Sequence, residues 1–120
     1  MKKVLVVDDT ITIRSMIAHV LTSSGYSVEE AEDGEAGLAK ASASSYDLVL
    51  TDYNMPRMDG ISMVREIRRL PLHHNTPIVV VTTEFGGDLK RQGRDAGATG
   101  WMVKPVHPER LLEMVGRLVG

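Results

Sequence analysis

Short apolar runs alternate along this chain with longer segments whose apolar residues recur at helical spacing. The runs occupy residues 3–8, 48–50, 77–82 and 101–103, and polar residues, Gly or Pro bound them; residues 26–31 alternate weakly between apolar and polar and form a further strand-length segment. Runs this short are typical of strands, and those without polar alternation are typical of strands buried on both faces of a parallel sheet. We therefore predict five strands, and in the last of them we expect Met102 and Val103 to be buried.

Helices are predicted between and after these strands, over 10–24, 33–44, 60–70, 88–96 and from 108 onwards. Thr10 is suited to cap the first helix, Gly25 follows its end, and Pro108 lies in the first turn of the last helix. The second helix is thinly apolar, and Ala36, Ala39 and Ala43 are its predicted apolar positions. Strands alternating with helices predict an α/β fold, in which a doubly wound parallel sheet has helices on both faces and right-handed crossovers.

Length and composition restrict the class of protein. With 120 residues, 42% of them hydrophobic, the chain is long enough for one domain with its own core, and it contains no cysteine for disulfides or thiolate metal sites. A net charge of -2 predicts no direct nucleic-acid partner. No leader, membrane-length apolar run, repeat or linker is visible, which predicts a free-standing cytoplasmic domain over residues 1–120 with no membrane partner.

Four of the five predicted strands end in residues that carry reactive or charged side chains. The first ends at Asp8 and Asp9, the third at Asp52, the fourth at Thr82 and the fifth at Lys104. Each residue alone has an ordinary explanation, as a helix cap, a turn residue, a strand terminator or a solvated charge. Because parallel strands deliver their carboxyl ends to one edge of the sheet, where ligands bind in this fold class, we interpret the set as a site.

The chemistry of this set favours phosphoryl transfer. Three carboxylates in one cleft repel each other, which raises their pKa values unless a cation lies among them. An all-oxygen ligand set suits Mg²⁺, which keeps part of its shell for waters or phosphate oxygens. A carboxylate nucleophile, a metal, a lysine and a hydroxyl are the components of an attack on phosphorus, so the predicted product is an aspartyl phosphate.

The same residues stand in motifs that resemble one family over essentially the whole chain. The motifs are Val6-Val7-Asp8-Asp9, Asp52-Tyr53-Asn54-Met55-Pro56 with Asp59-Gly60, Val81-Thr82-Thr83-Glu84 and Gly100-Trp101-Met102-Val103-Lys104-Pro105. In this order and spacing they resemble the response-regulator receiver domains. The resemblance implies a flavodoxin-like (βα)5 fold with strand order 2-1-3-4-5.

The resemblance also implies a role for each candidate residue. Asp52 would be the phosphoacceptor; Asp9 and Asp52 with the backbone carbonyl of Asn54 would bind Mg²⁺, and Asp8 would assist through water. Lys104 would contact the phosphoryl oxygens, Thr82 would turn inward to hydrogen-bond them, and Trp101 holds the position of the family's switch aromatic. Such a domain is not a classical enzyme, although it catalyses its own phosphorylation and dephosphorylation.

Partners follow from the same resemblance. A histidine kinase would donate the phosphoryl group, and the surface of helix four, strand five and helix five of a monomeric domain would bind a downstream partner. That partner would be a flagellar switch component in chemotaxis, or alternatively a further phosphorelay protein. An alternative hypothesis is that the chain is a receiver domain cut from a longer regulator.

Two other classes of protein fit less well. A flavodoxin-like flavin carrier would use Thr10, Thr12 and Ser15 as a phosphate loop, but the adjacent acids would repel phosphate, and aromatic residues make up only 4% of the chain. A phosphatase of the haloacid dehalogenase type needs two acids flanking one residue, whereas Asp8 is followed directly by Asp9.

Overall fold

A computed structural model describes residues 1–84 and 86–119 and contains the five predicted strand–helix units. The elements are β1 (Lys3–Val7), α1 (Ile11–Ser23), β2 (Ser27–Ala31), α2 (Gly34–Ala43), β3 (Leu48–Thr51), α3 (Gly60–Ile67), β4 (Ile78–Thr82), α4 (Gly87–Ala96), β5 (Gly100–Val103) and α5 (Pro108–Val119). A short 3₁₀ helix, Pro71–His73, lies in the connection before β4. No helix within the described ranges is long and apolar enough to cross a membrane.

The sheet has the predicted strand order, β2-β1-β3-β4-β5, and every pair of neighbours is parallel. The register brings the strand ends level. Val7 at the end of β1 pairs with Thr51 at the end of β3, and Thr82 at the end of β4 pairs with Val103 at the end of β5. The residues that directly follow β1, β3 and β5 therefore leave the sheet at one edge.

Both faces of the sheet are covered by apolar packing. Alternate residues of β1 contribute to opposite sides: Leu5 and Val7 pack in the cluster with α3 residues, whereas Val4 and Val6 pack in the cluster with α1 and α5 residues. All described residues of β3 and β4 are buried. The central strands thus form a rigid base for their polar ends, as expected for a parallel sheet.

Two details of the sequence-based burial predictions are wrong. The buried positions of α2 are Gly34, Gly37 and Ala41, whereas two of the three predicted alanines are exposed. α2 packs so closely against α3 that a Cβ on Gly37 would lie 2.7 Å from the sulfur of Met63. Two glycines, which have no side chain, therefore lie on the packed face of α2, in place of the predicted alanines.

The other correction concerns the end of β5. Met102 is only half-buried, and Val103 is 43% exposed. The reason is that β5 is an edge strand, so it has a neighbouring strand on one side only. This part of the sheet is accessible to other molecules.

Candidate acidic active site

The residues that follow β1, β3 and β5 converge around one ammonium group. The Nζ atom of Lys104 lies 2.9 Å from Oδ2 of Asp8 and 3.3 Å from Oδ2 of Asp52. All three side chains are at least nine-tenths buried. Lys104 follows β5, whereas Asp52 follows β3, and β4 lies between these two strands. The lysine side chain extends past the end of β4 to reach Asp52.

Asp9 completes a cluster of three acids. One carboxylate oxygen from each of Asp8, Asp9 and Asp52 lies within 4.8 Å of the other two, and Asp9 is exposed while the other two are buried. The donors are hard oxygen atoms that carry negative charge, and the exposed side leaves room for waters or a phosphate. This donor set fits Mg²⁺, which binds few carboxylates and keeps several other oxygen ligands.

Backbone N–H groups fix the two buried carboxylates. Oδ1 of Asp52 accepts a hydrogen bond from the N–H of Tyr53 at 2.8 Å, and Oδ1 of Asp8 accepts one from the N–H of Thr10 at 2.8 Å. In each acid, one carboxylate oxygen therefore accepts a hydrogen bond from the turn that follows, and the other oxygen faces Lys104. Thr10 is the N-cap residue of α1 as predicted, but its side chain makes no capping hydrogen bond.

Opposing influences act on the Asp52 carboxyl. Burial raises its pKa most strongly, the positive charge of Lys104 lowers it, and the negative charge of Asp8 raises it again. The net result is a pKa above the ordinary value for aspartate. A carboxylate that is poorly compensated in this way benefits from an additional cation in the site.

The raised pKa predicts that Asp52 destabilises the protein at neutral pH in the absence of a divalent cation. Because the folded state binds the Asp52 proton more tightly than the unfolded state, this group contributes stability below its unfolded pKa of about 4, and that contribution is lost as the pH rises through the folded pKa. Asp52→Asn should therefore raise the free energy of unfolding at pH 7 by about 1 kcal/mol.

Urea unfolding of the Mg²⁺-free protein at pH 7 and near pH 4 measures this effect. The gain from Asp52→Asn should shrink at the lower pH, where the wild-type carboxyl is protonated. Asp95→Asn, which alters an exposed acid on α4, is the matched control and should change little at either pH. A loss of stability in Asp52→Asn at pH 7 would show that Lys104 compensates the buried charge fully.

Thr82 and Trp101 are joined through one backbone segment. The N–H of Glu84 lies 3.3 Å from the Thr82 hydroxyl oxygen, and the carbonyl of Glu84 accepts a hydrogen bond from the Trp101 indole at 2.9 Å. Thr82 is buried, and its own carbonyl accepts from the N–H of Lys104 at 2.8 Å. The connection of the two predicted switch residues through the backbone of Glu84 was not predicted from the sequence.

The indole of Trp101 packs against α4. A Cβ on Gly93 would lie 2.9 Å from its Cζ3 atom, and the ring is half-buried. Asn54 is exposed in the loop between β3 and α3. The structure thus brings Asp8, Asp9, Asp52 and Lys104 together, and places Thr82 and Trp101 along a path that leads away from them.

Comparison with known proteins identifies the class to which this site belongs. Residues 4–116 match the response regulator receiver domain, so the chain belongs to that family of two-component signalling domains. Receiver domains are phosphorylated by histidine kinases and act on downstream partners; they are signalling domains and not classical enzymes. The predicted family and fold are confirmed, and the family assignment favours neither the flavin carrier nor the phosphatase.

Particular relatives come from several signalling systems. The chemotaxis protein CheY4 of Vibrio cholerae is 46% identical, with a TM-score of 0.95 over 98% of each chain. The receiver domain of the sensor histidine kinase PA1611 of Pseudomonas aeruginosa, 30% identical with a TM-score of 0.91 over 99% of this chain and 98% of that one, has a magnesium ion coordinated in its active site cleft.

A third relative is a protein longer than this chain. The transcriptional regulatory protein ResD of Bacillus subtilis is 37% identical over 117 residues, which are 98% of this chain and 48% of ResD. The chain spans between 15% and 48% of the lengths of three curated relatives that it matches. Similarity to such proteins therefore concerns their receiver portions.

Proposed function

We propose that residues 1–120 act as one receiver domain, a phosphorylation-controlled switch in which Asp52 accepts the phosphoryl group from a histidine kinase. The observation that carries this proposal is the position of the Asp52 carboxylate, 3.3 Å from the Lys104 ammonium and within a cluster of three acids. The proposed Mg²⁺ ligands are Asp9, Asp52 and the backbone carbonyl of Asn54, with Asp8 assisting through water.

The arrangement of side chains suits an in-line transfer. A carboxylate oxygen of Asp52 forms the new bond to phosphorus while the bond from phosphorus to the donor nitrogen of the kinase histidine breaks. Bound Mg²⁺ would neutralise charge on the phosphoryl oxygens. Lys104 is already held between two carboxylates, so it needs little reorganisation to contact a phosphoryl oxygen.

A Mg²⁺-dependent phosphorylation assay tests this function. Incubation with acetyl phosphate and Mg²⁺ should add one phosphoryl group, measured as intact mass, and EDTA should prevent the addition. Asp52→Asn should abolish it, whereas Asp95→Asn should be labelled like the wild type. Labelling of Asp52→Asn to the wild-type extent would refute the assignment of the phosphoacceptor.

The proposed signal leaves the site through Thr82. If the Thr82 hydroxyl turns to donate a hydrogen bond to the phosphoryl group, the backbone of Glu84 loses its present contact and its carbonyl moves relative to the Trp101 indole. The indole lies between this segment and α4, so a shift would change the surface formed by α4, β5 and α5.

Trp101 fluorescence reports this step, because the chain has one tryptophan. Beryllofluoride with Mg²⁺ mimics an aspartyl phosphate, and it should change the emission wavelength or quencher accessibility of Trp101. Thr82→Ala should reduce the change without preventing binding of the mimic. If the emission and quenching stay constant while the mimic is bound, Trp101 is a fixed packing residue.

The partner-binding surface proposed for this protein is basic and partly apolar. Exposed basic residues lie on α4 and near the start of α5, namely Lys90, Arg91, Arg94, His107 and Arg110. A cavity of about 460 Å³ lies beside β5 and is lined by residues that include Trp101, Val103 and Met114. The similarity to the chemotaxis protein CheY4 supports a role in chemotaxis. For that role the proposed partner is a flagellar switch component, and the proposed protein is monomeric and cytoplasmic. The similarity to ResD supports the alternative of a receiver that belongs to a longer regulator. A further phosphorelay protein is the other alternative partner.

A further inference from the structure

Arg57 lies in the loop between β3 and α3 and contacts the first turn of α2. Its Nη1 atom is 2.7 Å from Oδ2 of Asp33, and its Nε atom is 3.8 Å from Oε1 of Glu35. Asp33 is the N-cap residue of α2, where its other oxygen, Oδ1, accepts a hydrogen bond from the N–H of Ala36 at 2.8 Å. One buried carboxylate therefore serves both the helix and the loop.

The backbone of Arg57 adopts a conformation that favours glycine. Its φ is 68°, and it is the one described non-glycine residue with a positive φ. Such a conformation costs roughly 1–3 kcal/mol in a residue that carries a side chain. The contact of the Arg57 side chain with Asp33 is a favourable interaction at this strained position.

The loop between β3 and α3 packs closely against α2 near Met58. A Cβ on Gly34, the first residue of α2, would overlap the carbonyl oxygen and the Cβ of Met58. The N–H of Gly60 donates to the carbonyl of Tyr53 at 2.8 Å, and this hydrogen bond joins the two ends of the loop. The segment that carries Asn54 is thus closed by a hydrogen bond and contacts α2 through Met58 and through the Arg57–Asp33 ion pair.

We propose that Arg57 is a positioning residue: its ion pair with Asp33 holds the loop between β3 and α3 so that this loop presents an oxygen ligand to the divalent cation of the acidic cluster. The inference rests on the proposed function, because it assumes that Asp8, Asp9 and Asp52 bind Mg²⁺. It adds a residue that lies outside the acidic cluster and makes no described contact with it. Loss of the pair should increase the freedom of the loop and weaken the affinity for the cation.

Two substitutions at Arg57 alter the ion pair with Asp33 to different extents. Arg57→Gly removes the ion pair but accepts the positive φ without strain, so the Mg²⁺-free protein should be as stable as the wild type. Arg57→Lys keeps one charged donor for Asp33. Arg69→Ala is the matched control, because Arg69 is a similarly exposed arginine that forms an ion pair with Glu66 on α3.

Mg²⁺ titration by calorimetry and thermal unfolding in EDTA are the two measurements. Arg57→Gly should bind Mg²⁺ about 3- to 10-fold more weakly than the wild type. This is less than the ~10–100-fold seen when buried partners of metal ligands are removed, because the Arg57 side chain is 62% exposed. Its melting temperature in EDTA should not fall. Arg57→Lys should recover part of the affinity, and Arg69→Ala should bind as the wild type does.

The outcomes distinguish the inference from the proposed function. Wild-type affinity in Arg57→Gly would overturn the positioning role, as would a fall in its melting temperature in EDTA without a change in affinity. An Arg57→Lys affinity no better than that of Arg57→Gly would also overturn it, because the ion pair would then not be the cause. Absence of Mg²⁺ binding in the wild type itself would instead contradict the proposed function.

Discussion

Lys104→Met is expected to lower the free energy of unfolding of the Mg²⁺-free protein by about 3 kcal/mol at pH 7. The substitution leaves the carboxylates of Asp8 and Asp52 without their common cation, and removal of one partner from a buried ion pair is costly for this reason. The methionine side chain fills a similar volume, so the loss is electrostatic. Urea unfolding with and without Mg²⁺ measures it.

Two features of the result would be specific to the acidic cluster. The loss should shrink at lower pH, because protonation of Asp52 removes one of the unpaired charges, and Mg²⁺ should stabilise Lys104→Met more than it stabilises the wild type. Lys90→Met, which alters an exposed cation on α4, should change stability by less than about 0.5 kcal/mol. A similarly small loss in Lys104→Met would mean that Lys104 does not compensate the buried acids.

Gly60→Ala is expected to reduce stability by about 1–3 kcal/mol and to slow phosphorylation of Asp52 more than about tenfold. A Cβ at this position would overlap the backbone carbonyl of Asp52, and backbone atoms cannot yield as a flexible side chain does. The change must therefore displace either the start of α3 or the phosphoacceptor. Displacement of a reacting group by about 1 Å can cost a hundredfold in rate.

Gly116→Ala is the control for the general effect of adding a methyl group at a glycine. Gly116 lies in α5, where a Cβ would meet nothing within 4 Å, and alanine there should stabilise the helix by about 0.5–1 kcal/mol. Both variants are compared by urea unfolding and by the rate of labelling with acetyl phosphate. An active and stable Gly60→Ala protein would show that the loop can relax without moving Asp52.

The fold was largely predictable because its strands are apolar runs with clear boundaries. β1, β3 and β4 are buried throughout or almost so, and a buried parallel strand leaves a direct signal in the sequence. Helix α2 was predicted with nearly correct bounds, but its buried face was not. Periodicity detects side chains that pack, and it cannot detect glycines that allow two helices to approach closely.

The same distinction applies to the candidate site. Asp8, Asp52 and Lys104 were identified because each follows a strand directly, and the strand order then determines that they meet. The contact of Arg57 with Asp33 joins residues 24 positions apart through a loop conformation that arginine rarely adopts. The link between Thr82 and Trp101 runs through backbone atoms of Glu84, which any residue possesses. Neither contact can be recognised from the order of residue types along the chain.

That Asp52 accepts the phosphoryl group is tested most directly by chemical trapping. The protein is labelled with acetyl phosphate and Mg²⁺, reduced with borohydride, which converts an aspartyl phosphate to homoserine, and sequenced as peptides by mass spectrometry. We expect homoserine at position 52 alone, and only in samples that received both acetyl phosphate and Mg²⁺. Homoserine at position 8 or 9, or a labelled protein without homoserine at position 52, would contradict the proposed function.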